Sequence, residues 1–132
     1  MYPTCRPACE LLAKTGPEAT RLNNALNHFL EVTPVSSPSP EVKVFTAKLD
    51  AGEQQAIALA YEQKTLLLMD EYRGRVAARR LGLVVTGVVG VLLRAKEAGM
   101  IPLVIPSLQE IRRQGYWLSD DLLEVAAKLA GE

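Results

Sequence analysis

The sequence predicts an α/β fold in which a short parallel sheet is flanked by helices. Two apolar runs, Thr65-Leu66-Leu67-Leu68-Met69 and Leu83-Val84-Val85, each stand between stretches of helical periodicity. Short all-apolar strands alternating with helices indicate parallel pairing through right-handed crossovers, with both faces of the sheet covered. At 132 residues, with 48% hydrophobic and 23% charged side chains, the chain has the size and composition of one globular domain spanning residues 1–132.

Pro7 opens a helix that Gly16 ends, giving a short element over 7–14. Pro17 starts a second, running to about Asn27 with Leu22 and Leu26 on one face. Phe29 to Val35 alternates apolar and β-branched residues and is read as a strand. Ser36-Ser37-Pro38-Ser39-Pro40 is a loop of helix breakers within the domain. Asp50 precedes a helix over 51–63 whose buried stripe is Ile57, Ala60 and Tyr61. After the strand ending at Asp70, a helix is expected from Glu71 to Leu81, broken by Gly82. Thr86 is placed to cap the next helix, Gly87 to Ala98, which is apolar on nearly every side and therefore expected deep in the domain. Gly87 and Gly90 permit close packing of its backbone. Two more helices follow, Pro106 to Gln114 and Asp120 to Ala130, the latter capped by Ser119 and stopped by Gly131. Tyr116 and Trp117 are expected to anchor their connection to the core.

Bulk properties exclude several classes of function. A net charge of zero and a pI near 6.6 argue against an indiscriminate polyanion binder, so any nucleic-acid contact must come from a local patch. The longest apolar stretch, Leu81 to Leu93, is interrupted by glycines and falls short of the ~20 residues a membrane span needs. The start Met1-Tyr2-Pro3-Thr4-Cys5-Arg6 lacks signal-peptide character, and a cytoplasmic location is expected. Cys5 and Cys9 match no strong zinc spacing and are read as buried or free thiols. His28, the one histidine, is read as a packing or surface residue, so no nucleophilic triad competes for the chemistry.

The chemistry points instead to carboxylates. A helix from Glu53 to Lys64 covers roughly 16 Å and the strand back to Asp70 covers about the same distance. That spacing predicts both acids at the carboxyl end of the strand, where open α/β sheets place ligands and where paired acids suit a divalent metal. A plainer alternative stands beside it. Asp50-Ala51-Gly52-Glu53 also fits a capping box, and Asp70 can cap the helix beginning at Glu71.

The run Leu49-Asp50-Ala51-Gly52-Glu53-Gln54-Gln55-Ala56-Ile57-Ala58-Leu59-Ala60, followed by Leu67-Leu68-Met69-Asp70-Glu71-Tyr72-Arg73-Gly74-Arg75 and by Leu81-Gly82-Leu83-Val84-Val85-Thr86-Gly87, resembles PIN-domain proteins from about residue 49 onward. The likeness is to an uncharacterised prokaryotic branch, many members of which are thought to be toxins of toxin–antitoxin pairs. The resemblance implies a PIN-like three-layer fold whose sheet edge gathers acids around Mg²⁺ or Mn²⁺ to cut RNA. It places Glu53 at the acidic position opening the middle helix and Asp70 at the one ending the fourth strand. Glu10, in a segment similar to the family's second strand and following helix, is the implied third ligand; as a first-turn acid it also simply complements a helix dipole. Glu71 adjoins as an assisting acid.

Family members resemble one another in an opening apolar strand ending in aspartate, and no such segment precedes Tyr2. The fold is therefore expected to be truncated or rearranged at the amino terminus, with catalysis compromised or absent and the open sheet edge either completed by homodimerisation or removed by a rearranged sheet. Arg73 and Arg75 are candidates for holding RNA phosphates, with a solvated helix surface as the alternative; Arg73 and Arg80 are read on one face and Arg75 and Arg79 on another. The functional expectation is a toxin-type, Mg²⁺- or Mn²⁺-dependent endoribonuclease with RNA as substrate and an antitoxin as protein partner. Its rival is a non-catalytic module for homodimerisation or partner binding, and a phosphoacceptor role for Asp70 ranks behind both.

Overall fold

The computed structural model describes residues 16–132 and contains, among them, seven helices and two short strands. The order is α1 (Pro17–His28), α2 (Pro40–Thr46), α3 (Ala51–Gln63), β1 (Leu67–Leu68), α4 (Tyr72–Arg80), β2 (Val85–Thr86), α5 (Val88–Glu97), α6 (Ile105–Arg113) and α7 (Asp120–Ala130). This is the expected α/β class: a short parallel sheet with helices. Leu67 N–H donates to Val84 C=O and Met69 N–H to Thr86 C=O, each at 2.9 Å. Both partners advance by two residues from one bond to the next, which makes the ladder parallel. The expected helix over 7–14, Cys5, Cys9 and Glu10 lie outside the described residues.

The described chain divides into two compact units, residues 16–67 with 71–84, and residues 68–70 with 85–132. The division passes through the strand pair, with Leu67 and Val84 in the first unit and Met69 and Thr86 in the second.

In the first unit, α2, α3 and α4 pack on one another. Their buried residues are mostly small or β-branched: Val42 and Thr46 on α2, Ile57, Ala58 and Ala60 on α3, Ala77 and Ala78 on α4; Leu67 on β1 is buried as well. Thr46 is buried because its hydroxyl donates to the Val42 carbonyl one turn back, at 2.7 Å, so no polar group is orphaned. Helix α2 was not foreseen. Its signal is present in Ser39-Pro40-Glu41: the serine oxygen accepts from Val42 N–H, proline occupies the first turn, and glutamate meets the positive end of the dipole.

The second unit has its own core of Val104, Leu108, Leu118 and Ala126, with Val88, Leu92, Ile101, Ile111 and Leu122 packed around it. Helix α7 lies against both α5 and α6. Ser119 accepts from Leu122 N–H and Gly131 ends α7 with φ 70°, as the sequence indicates.

Several expectations are corrected. Residues 30–39 form no strand: Pro34 interrupts the run, and Phe29 is 80% exposed. The strand ending at Asp70 shortens to Leu67–Leu68 and alternates, with Leu67 and Met69 buried while Leu66 and Leu68 are exposed. The later strand shifts to Val85–Thr86, so Thr86 is a strand residue and Gly87 occupies the cap position of α5 without a side-chain bond. Helix α5 is half-buried rather than deep, with no fully buried residue. Tyr116 and Trp117 are exposed, at 62% and 86%, and anchor nothing among the described residues.

Candidate functional site

Each predicted acid among the described residues accepts from a backbone N–H group at the start of a helix. In the first unit, Asp50 Oδ1 accepts from Glu53 N–H at 2.8 Å, and Glu53 Oε2 accepts from Asp50 N–H at 3.3 Å. This reciprocal pair is the capping box that the spacing allowed. In the same unit, Glu71 caps α4 by accepting from Gly74 N–H at 2.8 Å. Asp70 does not perform that capping. Glutamate is a weak N-cap by preference, so the sequence favours aspartate here; the structure assigns it elsewhere.

In the second unit Asp70 Oδ1 accepts from Val88 N–H at 2.9 Å, at the first residue of α5. The bond spans the crossover from the end of β1 to the helix that follows β2. It supplies the cap that Gly87 cannot. No local motif announces it, because the partners are distant in sequence and meet only through parallel pairing.

Glu53 is the electrostatically strained member. Half-burial raises its carboxyl above the usual range, the Asp50 N–H bond opposes that rise, and the negative charges of Asp50 and Glu71 add to it. Glu53 and Glu71 thus feel one another within the first unit. Among the described residues, the second oxygen of each of Glu53, Asp70 and Glu71 carries no protein hydrogen bond. Capping and cation binding are therefore compatible at each, since one oxygen is fixed and the other has no hydrogen-bond partner among the described residues.

Hard carboxylate oxygens of this kind suit Mg²⁺ or Mn²⁺. No group of three or more His, Cys, Asp or Glu stands ready to hold a metal among the described residues. Of the expected ligands, Glu53 lies in the first unit and Asp70 in the second, and Glu10 is outside the described residues. Arg73 and Arg75 lie on α4, Arg73 exposed and Arg75 half-buried. No described helix is long and apolar enough to cross a membrane.

Sequence reasoning also missed Glu132. Its carboxylate accepts from Val104 N–H at 2.7 Å, Ile105 N–H at 2.9 Å and Lys96 Nζ at 2.9 Å. These bonds close the amino end of α6, and Lys96 additionally donates to the Ala130 carbonyl. The Val104 N–H, aided by Ile105 N–H and Lys96, holds the Glu132 carboxyl down at about 2 against an ordinary 4.5.

A family model described as a PIN domain matches residues 8–132, and the chain belongs to that family. No curated protein and no solved structure matches the chain. Membership makes the protein a PIN-like nuclease scaffold, of a family generally dependent on divalent metals.

Proposed function

We propose that the protein is a metal-dependent endoribonuclease of the toxin type, with Glu53, Asp70 and Glu10 as ligands for Mg²⁺ or Mn²⁺ and Arg73 and Arg75 positioning the RNA backbone. The observation that carries this reading is the family match over residues 8–132, which includes all three acids and both arginines. The fixing of one oxygen of each of the Glu53 and Asp70 carboxylates supports it, since preset carboxylates lose little freedom on taking a cation. A bound divalent ion supplies an activated water and stabilises charge on phosphate and leaving oxygen. The acids hold the ion, and the arginines hold phosphate by charge without reading sequence.

A second reading is a non-catalytic module that forms homodimers or binds an antitoxin. The exposed Tyr116 and Trp117 favour it, because aromatic residues are enriched at protein interfaces. The test is cleavage of a single-stranded RNA in Mn²⁺ by the wild type and by Asp70→Asn. Cleavage lost in the variant supports the nuclease; absence of metal-dependent cleavage by the wild type supports the module.

A further inference from the structure

Gly74, Ala77 and Ala78 are the buried residues of helix α4, which packs on α2 and α3. At 100° per residue these three positions span one narrow arc, and Tyr72 stands almost opposite its centre. Arg79 and Arg75 fall on one side of Tyr72, and Arg73 and Arg80 on the other. The two arginine pairs, which the sequence places on separate faces, thus border a single outward surface with an aromatic ring at its middle. Tyr72 is 75% exposed, and Arg73, Arg79 and Arg80 are exposed.

None of the four guanidinium groups has an acidic partner among the described residues. The ion pairs there join Lys96 to Glu132, Arg112 to Asp120 and Arg113 to Glu110. Four arginines on a nine-residue helix, none with an acidic partner among the described residues, form a dense local charge in a chain whose net charge is zero. Four of the fifteen Lys and Arg residues of the chain are thus concentrated on this one helix. The residue type also matters, because arginine presents planar donors that pair with phosphate and stack on rings.

We propose that the outward face of α4 binds single-stranded polynucleotide, with Arg73, Arg75, Arg79 and Arg80 holding successive phosphates and the Tyr72 ring stacking on a base. Charge complementarity selects a polyanion, and the central exposed ring selects one with unstacked bases over an acidic peptide. Glu71, which precedes Tyr72, is the acid whose charge reaches Glu53. The arginine face therefore starts beside the acidic residues of its own unit. The inference deepens the nucleolytic reading without depending on cleavage, so it is tested in EDTA.

The experiment measures fluorescence anisotropy of a labelled single strand of about ten nucleotides, a length within the site sizes of single-strand binders. RNA and DNA versions are used, across a salt series. Wild type is expected to bind with a log–log salt slope of about −0.7 for each phosphate neutralised. Replacing all four arginines by glutamine is expected to weaken binding by about tenfold or more and flatten the slope. The corresponding lysine variant retains most of the slope and controls for folding. Tyr72→Ala is expected to weaken binding about fivefold or more at unchanged slope, whereas Tyr72→Phe keeps wild-type affinity. Arg94→Gln, on α5, leaves binding unaltered. Equal RNA and DNA binding identifies backbone and base stacking as the shared chemistry; a preference for RNA adds the 2′-hydroxyl as a contact. Unchanged affinity in the four-glutamine variant overturns the proposal. So does wild-type affinity in Tyr72→Ala, or tighter binding of an oligoglutamate competitor than of the oligonucleotide.

Discussion

Glu132 shows how one side chain can secure a helix start that the local sequence leaves open. Val104 and Ile105 offer no capping side chain to α6, and the Glu132 carboxylate accepts from both backbone N–H groups while Lys96 supports its charge. Its folded-state pKa of about 2 lies below the ordinary 4.5. The carboxylate consequently favours the folded form at pH above the ordinary value, and this contribution is lost as pH falls through the interval down to about 2. Urea unfolding at a series of pH values is expected to show stability declining across that interval. Glu132→Gln removes most of that dependence, since glutamine keeps an accepting oxygen but cannot titrate. An identical pH profile in the variant would contradict the role assigned to Glu132. Asp70 illustrates the same principle with a different consequence: its bond to Val88 N–H needs only an oxygen, so Asp70→Asn preserves the cap and removes the charge.

At the scale of elements, the close approach of α5 to β2 is the most exacting feature of the second unit. A methyl group at Gly90 would run into the Thr86 hydroxyl. Gly90→Ala is expected to destabilise by about 1–3 kcal/mol through overpacking. In a Thr86→Ala background the same change becomes neutral or stabilising, by up to about 1 kcal/mol, because alanine is the better helix former. Thermal unfolding of the double-mutant cycle measures the coupling; additive effects would remove the contact as the reason for glycine. Local signals made most helices legible. The capping box at Asp50, Ser119 with Gly131, and Pro17 each mark a terminus by chemistry within one turn. Strands were less legible, because their extent depends on a partner. The run from Thr65 to Met69 keeps only two strand residues, and Phe29 to Val35, alternating but interrupted by Pro34, finds no partner among the described residues. Burial of α5 was overread from its apolar composition, which does not tell a half-covered helix from a covered one.

Over the whole molecule, the PIN-domain family frames the account, and the candidate acids give it chemistry. The elements that carry the two acids, a helix over 51–63 and a strand before Asp70, were legible from local periodicity and capping signals. Their capping bonds were legible only in part: the Asp50–Glu53 box is local, whereas the Asp70–Val88 bond joins segments that only strand pairing brings together. Each acid fixes a helix start with one oxygen, and among the described residues its second oxygen carries no protein hydrogen bond. Function at this scale rests on whether those second oxygens bind metal. Calorimetric titration of Mn²⁺ into the wild type, Glu53→Gln and Asp70→Asn, at neutral pH, tests that claim most directly, since each amide retains the capping oxygen. The expected result is saturable binding by the wild type that is lost or weakened by about tenfold or more in each variant, as fits removal of a charged ligand from a hard-cation site. Wild-type binding left unchanged in both variants, or no binding by the wild type, would contradict the account.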